Sequence, residues 1–146
     1  MKRCSWAKSD LMKEYHDNEW GKPLHDDAKL FELLILETMQ AGLSWETILK
    51  RRENYRQALD HFNPEKIQHY TIEKQAELLE NPGIIRNRLK VKSIVTNAKA
   101  FIEIQKEFGS FDKYIWSFTD GNIIKAEYLT ESELSKSISK DLKKRG

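Results

Sequence analysis

The stretch that decides the fold of this 146-residue chain is a helical run that breaks and restarts on an aromatic residue: Leu36-Glu37-Thr38-Met39-Gln40-Ala41-Gly42-Leu43-Ser44-Trp45. Apolar residues lead into it from Leu30 at helical spacing, so a helix is predicted up to the break at Ala41-Gly42. Ser44 is a good N-cap for a second helix. A carboxylate deep in an apolar run costs free energy unless it is paired. Glu37 therefore needs either a partner or a function.

The composition is that of a globular protein. Charged residues make up 33% of the chain and hydrophobic residues 39%, which argues against disorder, and the length predicts one domain spanning residues 1–146. The only cysteine is Cys4, so no disulfide can form within the chain and a reducing compartment is expected. The sequence has no membrane-spanning apolar run and no signal core, so a cytoplasmic location is expected. The net charge of +2 does not by itself indicate nucleic-acid binding.

Helix signals recur through the chain, and no segment has a convincing strand pattern, so the fold class is predicted as all-α. The predicted N-caps are Asp26 or Asp27, Ser44, Asn63 before Pro64, Thr71, Ser110 and Thr130, the last in a capping box that reaches Glu133. Gly109 and Gly146 are the predicted ends of the last two long helices. The first 23 residues are expected to wrap over the body as a loop with short helical turns.

A tight turn between two predicted helices resembles a helix-hairpin-helix motif over about residues 72–107. Its turn contains Pro82, Gly83, Ile84 and Ile85, and the basic residues that follow are Arg86, Arg88, Lys90, Lys92 and Lys99. Backbone N–H groups at such a turn can bind phosphate, and flanking cations add attraction that does not depend on base sequence. The alternative is an ordinary helical hairpin with a solvated basic face.

Four aromatic residues border the N-terminal segment or the break after Glu37: Trp6, Tyr15, Trp20 and Trp45. Two facing rings can form a slot for a planar base, and a carboxylate can accept hydrogen bonds from its amino or ring N–H groups. A cationic base would also be attracted by the ring faces. The alternative is that the rings fill the core and that Glu37 is paired with a buried Arg or Tyr.

Other catalytic or metal-binding patterns are weak in this sequence. Cys4 and His16 are suitable zinc ligands, but a structural zinc site usually has four, so chemistry alone favours a buried thiol and a capping histidine. No nucleophile elbow or phosphate-binding glycine loop occurs.

Several longer motifs resemble the 3-methyladenine DNA glycosylase I family of the helix-hairpin-helix superfamily. They are Arg3-Cys4-Ser5-Trp6, Tyr15-His16-Asp17-Asn18-Glu19-Trp20-Gly21, Leu36-Glu37 with Gln40-Ala41-Gly42-Leu43-Ser44-Trp45, Gly83-Ile84-Ile85-Arg86-Asn87-Arg88, and Phe111 with Trp116-Ser117-Phe118. They occur in the same order as in the family and span nearly the whole chain.

The resemblance implies a bacterial base-excision-repair enzyme that flips 3-methyladenine out of alkylated double-stranded DNA and hydrolyses its N-glycosidic bond, leaving an abasic site. It implies that Glu37 is the candidate catalytic residue and hydrogen-bonds the base, that Tyr15 contacts it and that Trp45 stacks on it, while Trp6 and Trp20 line the pocket. Free 3-methyladenine would be the product ligand. The enzyme would be a monomer that acts on the bacterial nucleoid, without strand-cleaving lyase activity.

The resemblance also assigns DNA contacts and a metal. The turn with Gly83, Ile84, Arg86 and Arg88 would hold the phosphate backbone, and Gln40, Gly42 and Leu43 would wedge into the duplex. Cys4 and His16 would be half of a zinc site whose other two ligands, a histidine and a cysteine, lie beyond Gly146, so the chain is expected to be C-terminally truncated in the zinc lobe. The competing hypotheses are a non-catalytic helix-hairpin-helix DNA-binding module or inactive truncated glycosylase, and a small helical interaction protein.

Overall fold

The computed structural model of the chain describes residues 2–124 and 132–146. Within those residues it contains helices and no strand, which confirms the predicted all-α class. The helices, in chain order, are α1 (Asp10–Asn18), α2 (Asp27–Met39), α3 (Trp45–Ala58), α4 (Pro64–Ile67), α5 (Ile72–Leu79), α6 (Arg88–Phe108), α7 (Phe111–Ser117) and α8 (Glu133–Arg145). A one-turn 3-10 segment, Asp60–Phe62, separates α3 from α4.

Most of the predicted helix boundaries are confirmed by the capping side chains. Side-chain oxygens accept backbone N–H groups of the first helical turn at Asp26, Ser44, Asn63, Thr71 and Ser110. Gly109 ends α6 with φ of +88°, a conformation that favours glycine. Thr130 lies outside the described residues, and the N-cap of α8 is Ser132, which forms its capping box with Ser135.

The N-terminal segment differs from the predicted loop, because residues 10–18 form the regular helix α1. The hydroxyl of Ser9 caps it by accepting the backbone N–H of Met12 at 3.2 Å. None of its residues is fully buried, and only Leu11, Met12 and Tyr15 of its nine residues are apolar, so few apolar residues mark it in the sequence. Helix α1 packs on α3, and this contact places Tyr15 close to Trp45.

Helix α6 is the centre of the core, and it packs against α2, α4, α5 and α7. Its fully buried side chains follow helical spacing: Val91, Ile94, Val95, Ala98, Phe101, Ile102 and Ile104. Facing them, α2 buries Phe31, Ile35, Leu36 and Met39. Burial of each large apolar side chain stabilises the fold by roughly 1.5–3 kcal/mol. The core therefore holds the C-terminal end of α2, where Glu37 lies, firmly against α6.

The break between α2 and α3 is a tight turn over residues 40–43. The backbone N–H of Leu43 donates to the carbonyl oxygen of Gln40 at 2.7 Å, and Gly42 has φ of +79°, which a glycine adopts without strain. Ser44 then caps α3. The break thus turns the chain so that Glu37 and Trp45 lie on the same pocket. None of the helices in the described ranges is long and apolar enough to cross a membrane.

Candidate functional site

A pocket of about 450 Å³ lies where the N-terminal segment, α1, α2 and the start of α3 meet. Its lining contains all five side chains predicted to contact a base, together with Met12 and Gln40: Trp6, Tyr15, Trp20, Glu37 and Trp45. Ligand pockets in proteins commonly range from about 300 to 1,000 Å³. The pocket is therefore large enough for a purine base.

Several aromatic rings of the pocket are in contact with one another. The rings of Tyr15 and Trp45 are tilted at 56° with centroids 5.5 Å apart, and those of Trp6 and Trp20 are nearly perpendicular at the same separation. The centroids of Tyr15 and Trp6 are 6.3 Å apart. Rings in direct contact leave no gap for a base between them, so none of these three pairs is the predicted slot. A slot between two other facing rings of the pocket stays a prediction.

The Glu37 carboxylate has no side-chain hydrogen bond or ion pair with any described residue of the chain. Glu37 is exposed at the pocket mouth, yet enough protein surrounds its carboxylate for partial burial to raise its pKa. The alternative in which Glu37 is paired with a buried Arg or Tyr is therefore wrong. An unpaired acceptor that opens into a pocket is available for a ligand.

Two aromatic residues that line the pocket with Glu37, Tyr15 and Trp45, carry polar groups of their own. Burial raises the pKa of the Tyr15 phenol, and the nearby charges of Glu37 and Glu19 raise it further. The Nε1–H group of Trp45 is buried without a hydrogen bond of standard geometry to the described part of the chain, although it lies near enough to the Tyr15 hydroxyl to lower its pKa. Tyr15 therefore keeps its proton at neutral pH and can donate a hydrogen bond.

The buried carboxylate of α2 is Glu32, which the sequence pattern did not single out. Glu32 is 8% exposed, and it accepts hydrogen bonds from Arg52 at 2.6 Å and from Arg56. Arg52 also donates to Glu19 at 2.8 Å, and Glu19 follows the end of α1. This ion cluster, formed by Glu19, Glu32, Arg52 and Arg56, joins α1, α2 and α3 behind the pocket.

The turn between α5 and α6 is held by three side chains of α3. Arg51 donates to the carbonyl oxygen of Pro82 at 3.2 Å and Asn54 to that of Gly83 at 3.1 Å. The buried hydroxyl of Tyr55 accepts the backbone N–H of Ile85 at 3.1 Å. A Cβ atom on Gly83 would lie 3.1 Å from the Asn54 side chain, so glycine allows this close approach.

The four predicted DNA-contacting residues of this turn differ in what they can offer. Arg86 and Arg88 are exposed, and neither has a side-chain partner in the described part of the chain. Ile84 is 2% exposed, and its backbone N–H donates to the carbonyl oxygen of Asn81 at 3.5 Å, so it offers little to DNA. The N–H of Gly83 already donates to the side chain of Asn81 at 2.8 Å. The two guanidinium groups are therefore the main candidates for phosphate contact.

The predicted wedge residues lie on the turn over residues 40–43. Gln40 lines the pocket, while Gly42 and Leu43 are exposed, Leu43 at 38%. Lys90 was predicted as one of the DNA-facing cations, but its Nζ donates to the carbonyl oxygens of Met39 and Ala41 at 2.8 and 2.7 Å. It therefore binds the end of α2 and is not a free cation.

Cys4 and His16 are neighbours, but among the described residues they do not make a metal site. The backbone N–H of Cys4 donates to Nε2 of His16 at 3.4 Å, and Nδ1 of His16 faces Asp17 at 3.0 Å. Within the described ranges no cluster of three or more His, Cys, Asp or Glu side chains could hold an ion. These two side chains therefore fit only half of a four-ligand zinc site.

Comparison with known proteins gives consistent matches over nearly the whole chain. Residues 6–146 match the model of the family described as methyladenine glycosylase. The DNA-3-methyladenine glycosylase of Haemophilus influenzae is 44% identical over 151 residues, covering 99% of this chain and 82% of that protein. DNA-3-methyladenine glycosylase 1 of Escherichia coli is 42% identical over 153 residues, with coverage of 100% and 82%. A crystal structure of a variant 3-methyladenine DNA glycosylase I in complex with 3-methyladenine has a TM-score of 0.95 and 37% identity, covering 100% of this chain and 82% of that chain.

Proposed function

Because this chain belongs to the methyladenine glycosylase family, we propose that it removes 3-methyladenine from alkylated DNA in base-excision repair. The observation that carries the proposal is the unpaired Glu37 carboxylate at an aromatic pocket of about 450 Å³. Glu37 lies exposed at the mouth of a pocket lined by aromatic rings, where its carboxylate can accept hydrogen bonds from a ligand with N–H donors or positive charge. An alkylated adenine flipped out of the duplex provides both.

In this proposal the base is recognised by complementary charge and shape. The Glu37 carboxylate accepts hydrogen bonds from the adenine edge, Tyr15 donates to it, and the face of Trp45 stacks on it. Trp6 and Trp20 close the side of the pocket and exclude water. The ring faces and the carboxylate both favour a cation, so an alkylated base binds better than an unmodified one.

Bond cleavage then demands little acid catalysis, because adenine methylated at N3 is positively charged in DNA. When the N9–C1′ bond breaks, its electron pair leaves with the base, which becomes neutral, and positive charge passes to the sugar. Water adds its oxygen to C1′ and releases a proton, which leaves an abasic site. Glu37 contributes by positioning and electrostatic stabilisation and does not act as a conventional general base.

The free base offers a first test of the pocket. Three of the four tryptophans line it, so adding 3-methyladenine should change tryptophan fluorescence in a saturable manner. The fourth, Trp116, packs on His25 away from the pocket, so the variant Trp116→Phe should keep the full change. If fluorescence does not respond to the free base, the pocket assignment is wrong.

The turn between α5 and α6, with Arg86 and Arg88, should contribute affinity for DNA and not for the base. Replacing Arg86 or Arg88 with Ala should weaken binding to duplexes of any sequence and reduce the slope of log K against log salt by about 1, because one phosphate contact is lost. The Kd for free 3-methyladenine should be unchanged. The control is Lys106→Ala, since Lys106 is exposed near the other end of α6 and pairs only with Glu103 among the described residues. Equal effects of all three variants on DNA binding would contradict this assignment.

The reaction is tested with end-labelled, methylated duplex DNA. A monofunctional glycosylase leaves an intact strand with abasic sites, so breaks above the level of an enzyme-free control should be seen after mild alkali and not before it. Breaks above that level without alkali would mean lyase activity. If the breaks after alkali do not exceed the enzyme-free level, the second candidate applies, a non-catalytic helix-hairpin-helix DNA-binding module.

The remaining expectations of the family resemblance are part of the same proposal. Cys4 and His16 would supply two ligands to a zinc ion that other residues complete, and the ion would hold the N-terminal segment in place. Metal analysis of the purified chain, with Cys4→Ser alongside, measures this directly. The enzyme would act as a monomer on the bacterial nucleoid, with alkylated double-stranded DNA as its partner.

A further inference from the structure

We propose that Lys90 is a positioning residue that couples the DNA-binding hairpin to the turn beside the base pocket. This inference rests on the proposed function, because it concerns how binding of the phosphate backbone is transmitted to the flipped base. Lys90 is the third residue of α6, and no other described side chain joins the start of α6 to the end of α2 by a hydrogen bond.

The contacts of Lys90 reach both DNA-binding segments. Its backbone N–H donates at 3.0 Å to the side chain of Asn87, the N-cap of α6, which directly follows the turn between α5 and α6. Its Nζ donates to the carbonyl oxygens of Met39 and Ala41 at 2.8 and 2.7 Å. The Lys90 side chain therefore joins the first turn of α6 to Met39, the last residue of α2, and to Ala41 in the turn over residues 40–43.

The bond to the end of α2 has a clear physical basis. The last carbonyl groups of a helix have no partner within the helix and carry partial negative charge. A lysine ammonium group satisfies them with charge-assisted hydrogen bonds, which are stronger than neutral ones. Lys90 is partly buried, so water competes less for these bonds than it would at a fully exposed site.

The position of Lys90 determines what its loss would change. Glu37 lies two residues before Met39 and is held by the helix itself, whereas Gly42 and Leu43 follow the bonded carbonyl groups and depend on them. When Arg86 and Arg88 hold the phosphate backbone, Lys90 fixes the turn relative to that backbone. Without it the pocket remains intact, but the turn is no longer held at the place where it must enter the duplex.

The experiment compares Lys90→Met, Lys90→Arg and the control Lys106→Met. Methionine keeps an unbranched chain and removes the ammonium group, whereas arginine keeps donors that can reach two carbonyl groups. Lys106 is exposed near the other end of α6, and its ammonium group pairs only with Glu103 among the described residues. Three quantities are measured: the Kd for free 3-methyladenine, the salt dependence of duplex binding, and the single-turnover rate of base release from saturated methylated DNA.

For Lys90→Met, we expect the single-turnover rate to fall roughly tenfold or more, as is typical when a reacting group is misplaced. The Kd for the free base should change by less than about twofold, because Gln40 is the one lining residue of the pocket on the turn over residues 40–43, and Glu37 and the aromatic rings are held elsewhere. The salt slope should be unchanged, since Lys90 binds carbonyl groups and not phosphate. Lys90→Arg should recover part of the rate, and Lys106→Met should release the base at the wild-type rate.

Four results would overturn the coupling role. They are a wild-type rate in Lys90→Met, a salt slope reduced by about 1, which would make Lys90 a phosphate contact, a loss of free-base binding that parallels the loss of rate, or an equal loss in Lys90→Arg and Lys90→Met. The first of these leaves the proposed function intact. If the wild-type chain itself releases no base, the proposed function fails, whatever the variants do.

Discussion

Glu37→Gln should reduce 3-methyladenine release at least about 100-fold, the size of effect seen when one preorganised electrostatic contact is removed from an active site. Glutamine fills the same space but has no negative charge to attract a cationic base. It also offers an amide N–H₂ group where the base presents N–H donors. DNA binding through Arg86 and Arg88 should be retained, so the loss should be seen in the single-turnover rate and in the Kd for free base.

The matched control is Glu103→Gln, the same change at an exposed position on α6, where Glu103 pairs only with Lys106 in the described chain. It should release base at the wild-type rate. If Glu37→Gln releases base as fast as this control, Glu37 is not the residue that reads the base.

The raised pKa of Glu37 predicts two opposite dependences on pH. Base release needs the ionised carboxylate, so the rate should fall as the pH drops, beginning at a higher pH than for an ordinary glutamate. For stability the sign is reversed: a carboxyl whose pKa is higher in the folded state binds protons more tightly there, so its contribution to stability decreases as the pH rises through the two pKa values. At neutral pH, Glu37→Gln should therefore be at least as stable as the wild type.

Glu32→Gln, five residues earlier on α2, should destabilise the fold, whereas Glu37→Gln should not. It should lower the free energy of unfolding by about 3 kcal/mol, because loss of one partner of a buried ion pair leaves other charges without compensation. Here the uncompensated groups are the guanidinium groups of Arg52 and Arg56, which donate to Glu32. The change in the free energy of unfolding is measured from the shift of the urea midpoint, with unfolding followed by circular dichroism.

The control for this prediction is Glu53→Gln. Glu53 pairs with the same Arg56 but its side chain is 62% exposed, and exposed pairs contribute only about 0–1 kcal/mol. If Glu32→Gln costs no more than Glu53→Gln, the ion cluster does not stabilise the fold. Glu32→Gln and Glu37→Gln together separate the role of a carboxylate in stability from its role in function on the single helix α2.

The sequence predicted the helices well because their signals are local. Asp26, Ser44 and Thr71 cap the helices expected of them, since a side-chain oxygen next to unpaired N–H groups acts over a few residues only. Other local features gave no such signal. Asp60, His61 and Phe62 all have positive φ, and no glycine marks that left-handed turn.

The sequence could not show which carboxylate of α2 is buried. Glu32 and Glu37 stand five residues apart, which is about 140° around a helix, so they face different surroundings. Burial of Glu32 depends on Arg52 and Arg56, twenty and twenty-four residues away. The same limit applies to Lys90, which was predicted to be one of the DNA-facing cations. Its carbonyl partners lie about fifty residues earlier in the chain, so no local pattern could reveal them.

The structure brings together the aromatic residues that the sequence singled out, but their mutual angles could not be predicted. Trp6, Tyr15, Trp20 and Trp45 all line one pocket with Glu37. Their ring angles depend on how α1 packs on α3. That packing could not be derived from a segment predicted as a loop with short helical turns.

The most direct test of the central claim is the identity and rate of the base that the chain releases from methylated duplex DNA. Wild-type chain and Glu37→Gln are each incubated in excess over the DNA, and the released bases are separated by chromatography and identified by mass. The account predicts 3-methyladenine in the wild-type sample, formed far faster than without enzyme, and little above that background with Glu37→Gln. Release of no 3-methyladenine by the wild-type chain, or equal release by both, would contradict it.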